Sequence, residues 1–170
     1  MSSRILVVYF SRSGSTARVA SYLADELGAD LDAIEEPRSR AGIGGYLRSA
    51  FEAVAKGLPT IHTRRDPRDY DLVVLGTPVW GGTMASPVRS YIHEHSASLA
   101  KTAFFVVMGG RGGDDTVREM QMACGVGTRP SCVFRQEEVE HDRDLARCED
   151  FIQRIHGGAI GKASPARAVG

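Results

Sequence analysis

Continuous apolar runs alternate along this chain with segments in which apolar residues recur every three or four positions. Residues 5–10, 71–76 and 103–108 are apolar at most positions. Continuous apolarity is typical of strands that are covered on both faces, as in a parallel sheet. Two weaker segments, residues 30–35 and 131–139, bring the predicted strands to five.

Segments with helical spacing follow these strands. Their apolar faces are formed by Val19, Leu23 and Leu27; by Leu47, Ala50, Phe51, Val54 and Leu58; by Val88, Tyr91, Ile92 and His95; by Val117, Met120 and Cys124; and by Leu145, Cys148, Ile152 and Ile155. We expect Gly28 to close the first helix. Ser86, just before Pro87, is the expected N-cap of the third helix. Asp114 or Asp115 is the expected N-cap of the fourth. Residues 37–45, rich in glycine, are expected to form a loop.

Five repeats of strand and helix predict an α/β fold with a five-stranded parallel sheet and helices on both faces. Ligands of such sheets bind beyond the carboxyl ends of the strands, where the winding direction reverses. Each of the three strongly apolar strands is followed by a glycine-rich loop, so the three loops are expected to meet on one rim. We expect one domain over residues 1–156. Residues 157–170 are mostly small, without periodicity, and are expected to form a flexible tail.

Composition narrows the class of protein. The 170 residues are 42% hydrophobic and 25% charged, as in an ordinary globular protein. Twenty-one basic residues balance 21 acidic ones, so the basic footprint of a nucleic-acid-binding protein is missing. The first apolar run is too short for a signal peptide or a membrane span. An odd count of three cysteines without a C-x-x-C motif indicates free thiols in a reducing compartment, and we expect a cytoplasmic protein.

Few residues outside the loops suggest chemistry. The cysteines, Cys124, Cys132 and Cys148, are interpreted as small core residues. The histidines are interpreted as surface or packing residues, so no metal site is expected; the histidines are His62, His93, His95, His141 and His156. The sequence contains no G-x-G-x-x-G fingerprint, no Walker loop and no G-x-S-x-G nucleophile elbow. We therefore expect no catalytic acid, base or nucleophile.

The first loop, Ser11-Arg12-Ser13-Gly14-Ser15-Thr16, lies between a predicted strand and a helix start. Helix N-termini expose unpaired N–H groups and the positive end of the helix dipole, which suits a phosphate group. The hydroxyls add neutral donors, as one terminal phosphomonoester requires. No Walker lysine follows, so a nucleoside triphosphate with magnesium fits poorly. The alternative is an ordinary helix cap with surplus serines.

The pattern Ser11-x-Ser13-Gly14-x-Thr16 resembles the phosphate loop of flavodoxins, which holds the phosphate of FMN. The second loop, residues 77–87, resembles the flavodoxin loop that flanks the isoalloxazine ring. The third loop, residues 109–113, lies at the position where flavodoxins have their other flavin-binding loop. The resemblance covers residues 4–156. It implies a flavodoxin-like three-layer fold with strand order 2-1-3-4-5 and FMN as the cofactor.

By this resemblance, residues of all three loops are expected to contact FMN; they are Ser11, Arg12, Ser13, Gly14, Ser15, Thr16, Pro78, Val79, Trp80, Gly81, Gly82, Gly109, Gly110, Arg111, Gly112 and Gly113. Trp80 would stack on the ring; the alternative is a lid over the strand ends. Gly81 would turn its carbonyl toward the reduced ring. The third loop would present N–H groups to the pyrimidine edge, or would be a simple flexible loop. Arg111 either faces the ring, raising its potential, or points to solvent.

Two departures from flavodoxins shape the expected function. The third loop has no aromatic residue, and the chain is neutral where flavodoxins are typically acidic. Both features favour an FMN redox protein that reduces small acceptors such as quinones, with a nicotinamide as one candidate donor. The alternatives are an electron carrier between protein partners and a module that has lost its cofactor. A receiver domain is disfavoured because Tyr9-Phe10-Ser11 stands where it needs acidic residues. No nucleic-acid or membrane partner is expected, and oligomeric state is not predicted.

Overall fold

The computed structural model describes residues 3–37 and 58–159, which form a central sheet with helices on both faces. The strands are β1 (Ile5–Tyr9), β2 (Asp30–Ala33), β3 (Leu72–Trp80), β4 (Thr83–Met84), β5 (Thr102–Met108) and β6 (Ser131–Arg135). The helices are α1 (Ser15–Leu27), α2 (Ser86–His95), α3 (Gly113–Ala123), α4 (Gln136–Glu140) and α5 (Leu145–Ala159), with single 3-10 turns at Pro67–Asp69 and Ser96–Ser98.

Five strands pair in parallel in the order β2-β1-β3-β5-β6, and β4 adds a short antiparallel edge to β3. Counting only the parallel strands, this is the predicted order 2-1-3-4-5. The direction of winding reverses between β1 and β3, so the loops that follow these two strands lie side by side at the carboxyl edge. The sequence-based prediction of fold class is confirmed.

Each face of the sheet is covered by its own apolar core. Leu6 and Val8 of β1 contribute to the core beneath α2 and α3, whereas Ile5 and Val7 contribute to the core beneath α1 and α5. Successive side chains of a strand point to opposite faces. A strand buried on both faces therefore has to be apolar at every position, which explains the continuous apolar runs in the sequence.

The structure corrects one strand and two helix caps. The strand expected over residues 131–139 ends at Arg135, and the polar residues after it form α4, of which only Val139 is buried. Ala85 is the N-cap of α2, so Ser86 is already in the helix. Gly112 is the N-cap of α3 at φ 92°, and the two aspartates lie in the first turn, where they complement the helix dipole.

Of the other predicted elements, the end of α1 is confirmed, the start of the tail expected at residue 157 is wrong because α5 extends beyond it, and the rest are not tested. Gly28 closes α1 with φ 58°, as expected. The helix predicted from Leu47 onward lies outside the described residues except for its last apolar position, Leu58, which is not in a helix and is 43% exposed. Almost all of the loop at 37–45 also lies outside the described residues. α5 continues to Ala159, and the rest of the predicted tail lies outside the described part of the chain. Within the described ranges, none of the helices has the length and apolarity needed to cross a membrane.

Candidate functional site

The three glycine-rich loops contact one another at the carboxyl edge of the sheet. The Trp80 ring meets the Phe10 ring edge-on, with the centroids 5.4 Å apart, and the Arg12 guanidinium lies 5.8 Å from the Trp80 centroid. A Cβ added to Gly112 would lie 3.1 Å from Gly82 Cα. The predicted meeting of the loops on one rim is therefore found, with the second loop between the first and the third.

The first loop leads into a helix N-terminus that suits an anion. Gly14 is the N-cap of α1 at φ 100° and donates its N–H to Ser11 Oγ at 3.2 Å. No side chain caps this terminus, and its first turn contains no acid. Ser15 and Thr16 are buried, at 8% and 2% exposure. The positive end of α1 thus stands among hydroxyl and backbone donors.

The start of α3, also on the rim, differs from that of α1. Its first turn carries the carboxylates of Asp114 and Asp115, which already face the positive end of the helix dipole. Their negative charge would repel a phosphate. Of these two helix starts, α1 is the one that fits a phosphate group.

The second loop is a tight β-hairpin, which the sequence analysis did not predict. Trp80 pairs with Thr83 and Val79 with Met84. Gly81 and Gly82, at φ 59° and 85°, form the two-residue turn, and positive φ at both positions is characteristic of a type I′ turn. Trp80 stands beside this turn with 36% of its surface exposed. An exposed indole on the rim offers a flat surface for stacking.

The hairpin is held by a carboxylate from α3 that sequence reasoning missed. Glu119 accepts hydrogen bonds from the Thr83 hydroxyl at 2.5 Å, from the Met84 N–H at 3.0 Å and from Arg89 at 2.5 Å. Burial pushes the pKa of Glu119 upward, but these bonds outweigh burial and hold it below its ordinary value. No local sequence signal marks Glu119, because its partners lie 30 to 36 residues away.

Thr77, also missed, fixes the other end of the hairpin segment. Its buried hydroxyl accepts the Ala85 N–H at 3.0 Å and donates to the Pro78 carbonyl at 2.9 Å. Pro78 and Val79 are half-buried parts of β3, and Val79 packs against the core. Contact of these two residues with a cofactor stays a prediction.

The glycines of the third loop differ in whether backbone conformation or packing requires a glycine at their position. Gly112 needs its positive φ, and a Cβ on Gly113 would lie 2.3 Å from a Val133 methyl group. A Cβ on Gly110 would meet no atom within 4 Å, and Arg111 is exposed. The end of this loop is therefore fixed by packing, while its tip is open to solvent. The role of Arg111 toward a flavin stays a prediction.

Comparison with known proteins adds independent findings. The family model described as Flavodoxin matches residues 4–142. The structure of a flavoprotein of Lactobacillus acidophilus NCFM in complex with FMN is 22% identical, with a TM-score of 0.66 over 86% of this chain and 99% of that chain. The structure of a flavodoxin from the domain Archaea is 17% identical, with a TM-score of 0.57 over 92% of this chain and 98% of that chain. The apo form of an NADH:FMN oxidoreductase is 15% identical, with a TM-score of 0.59 over 95% of this chain and 92% of that chain. No curated protein matches the chain significantly.

Proposed function

The chain belongs to the flavodoxin family, and from this premise we propose that it is an FMN-binding redox protein that exchanges electrons with small acceptors such as quinones. The observation that carries the proposal is the meeting of the three loops around Trp80, beside a helix start without a capping side chain. Bound FMN supplies the redox chemistry, while the protein binds it, orients it and controls access to it. A structural neighbour solved with FMN supports the choice of cofactor.

The residues present fit FMN, which carries a single phosphate, and the sequence has no dinucleotide fingerprint. The N–H groups at the start of α1, together with the hydroxyls of Ser11, Ser13, Ser15 and Thr16, would hold one phosphate. Trp80 would stack on the ring, and the Gly81–Gly82 turn would lie at its edge. The third loop would offer N–H groups from Gly109 to Gly113.

The small-acceptor proposal rests on how few aromatic residues the loops contain. Among residues 11–16, 77–86 and 109–113, Trp80 is the only aromatic side chain. One face of a bound ring would therefore lack an aromatic wall from these loops. An open face admits a flat acceptor such as a quinone, and the likeness in fold to an NADH:FMN oxidoreductase supports a nicotinamide as donor.

A stopped-flow experiment tests this function. The FMN form is mixed anaerobically with NADH or NADPH, and the reduced protein is then mixed with a benzoquinone. We expect reduction by one nicotinamide and rapid reoxidation by the quinone. Failure with both nicotinamides, together with rapid reduction by a protein reductase, would show instead an electron carrier between proteins.

A designed variant tests whether the open face matters. Gly110→Tyr places an aromatic ring on the third loop at a position with no atom within 4 Å of an added Cβ. It should slow reoxidation by the quinone while leaving FMN bound. Gly127→Tyr is the matched control, because Gly127 has equal room and lies outside the three loops. Equal quinone rates for both variants would contradict the open-face argument.

A further inference from the structure

The contacts of Glu119 join two of the loops that form the rim. Its carboxylate holds both residues of β4, through the Thr83 hydroxyl and the Met84 N–H. Arg89 of α2 closes the cluster by donating to Glu119 and, at 3.0 Å, to Thr83 Oγ1. Glu119 itself belongs to α3, the helix that begins at the end of the third loop. One side chain therefore connects the second loop to the helix of the third.

The hairpin needs such support because it is very short. β3 pairs with neighbouring parallel strands only as far as Pro78, and beyond it the hairpin has two residue pairs, Val79 with Met84 and Trp80 with Thr83. So short a pair of strands has little stability of its own. Its turn residues are both glycines, which restrict the backbone least. Met84 is buried and Thr77 holds Ala85, so the end of the hairpin that carries Trp80 and the glycine turn is the part that depends on outside contacts.

α3 meets the hairpin at a second point. Gly112, the N-cap of α3, lies so close to Gly82 that an added Cβ would stand 3.1 Å from Gly82 Cα and 3.5 Å from its carbonyl oxygen. Thus α3 contacts the tip of the hairpin at Gly82 and its returning strand at Thr83 and Met84. A displacement of α3 would move the second and third loops together.

We propose that Glu119 is a positioning residue that fixes Trp80 and the Gly81–Gly82 turn at the place where the flavin ring would lie. Glu119 acts through Thr83 and Met84 rather than by touching the ring. The placement of Trp80 follows from the contacts alone, whereas the effect on the ring rests on the proposed FMN function. The two parts need separate measurements.

The first measurement uses protein without FMN. Trp80 is the only tryptophan, so quenching of intrinsic fluorescence by acrylamide reports its exposure. Glu119→Ala removes all three bonds and should raise the quenching constant about twofold, since loss of a charged hydrogen-bond acceptor is enough to release a marginal hairpin. Glu119→Gln, which keeps one acceptor oxygen, should lie between wild type and Glu119→Ala.

Asp150→Ala is the matched control. Asp150 on α5 also accepts from an arginine, Arg154, at 3.0 Å, and its partner lies on the same helix, away from the hairpin. The control should leave Trp80 quenching at the wild-type value. If Glu119→Ala lowers the melting temperature but leaves Trp80 quenching unchanged, Glu119 is merely structural and the proposal is overturned.

The second measurement uses FMN-loaded protein. Glu119→Ala should weaken FMN binding about tenfold and shift the midpoint potential of the flavin, while Asp150→Ala changes neither. Unchanged affinity and potential in Glu119→Ala would overturn the claim about the ring. If the wild-type protein binds no FMN, the proposed function fails, and the quenching series still decides whether Glu119 positions Trp80.

Discussion

The Thr16 hydroxyl belongs to the most deeply buried residue of the first loop, with 2% of the residue's surface exposed. If FMN phosphate is held at the start of α1, removal of this donor should cost about 1.5–3 kcal/mol of binding free energy, the range for a hydrogen bond to a charged group. Thr16→Ala should therefore weaken FMN binding roughly ten- to hundredfold. Fluorescence titration with FMN measures this change.

Two further variants make the Thr16 result specific. Thr16→Ser keeps the hydroxyl and should restore most of the affinity. Thr128→Ala removes an exposed hydroxyl outside the three loops and should have no effect. If Thr16→Ala binds FMN as tightly as wild type, the phosphate is not held by this hydroxyl.

The three cysteines are buried, free and expected to be unreactive in the folded protein. Burial raises the pKa of Cys124 and Cys148 to about 12 and that of Cys132 to about 11. Because the thiolate is the nucleophile, alkylation by iodoacetamide at pH 8 should be slow in the native protein and should reach all three thiols in urea. Rapid native labelling at pH 8 would contradict the described burial. The sequence-based interpretation of these residues as core residues agrees with their burial.

At the scale of elements, β3 depends on a glycine that lets a neighbouring ring pack against it. A Cβ on Gly76 would lie 2.0 Å from the Phe105 ring, an overlap that the fully buried ring has little room to avoid. Gly76→Ala should destabilise the fold by about 1–3 kcal/mol or more, the range for overpacking. Urea unfolding measures the loss, with Gly127→Ala as the control at a position with open space. Equal midpoints for the two variants would contradict the packing described for β3.

The main elements could be predicted because their signals are local. Strands buried on two faces are apolar throughout, and Gly28 ends α1 where the helical pattern stops. The β3–β4 hairpin has a local signal that the predicted loop leaves unused, since Gly81-Gly82 between Trp80 and Thr83 is typical of a two-residue hairpin turn. Its contact with Glu119 could not be predicted, because Glu119 lies 36 residues beyond Thr83. The N-cap of α3 was misassigned for a similar reason. Gly112 is the N-cap in a left-handed conformation and lies close to Gly82, and the two aspartates follow in the first turn.

At the scale of the whole molecule, the topology brings distant segments of the chain to one place. Phe10 and Arg12 follow β1, Trp80 ends β3, and Gly112 follows β5, yet they form one continuous rim. Because β1, β3 and β5 are adjacent and parallel, the loops that follow them lie at the same edge of the sheet. The order of the three loops in the sequence was therefore enough to predict that they meet. The contacts between the loops depend on side-chain packing, which the sequence pattern does not specify.

FMN is proposed to bind on this rim, beside Trp80 and with its phosphate at the start of α1. Titration of the FMN-free protein with FMN, followed through Trp80 fluorescence, tests it most directly because no other tryptophan contributes. Quenching should saturate at one FMN per chain, and riboflavin should bind at least about a hundredfold more weakly, since it lacks the phosphate and its several charged hydrogen bonds. Absence of saturable quenching, or equal affinity for FMN and riboflavin, would contradict it.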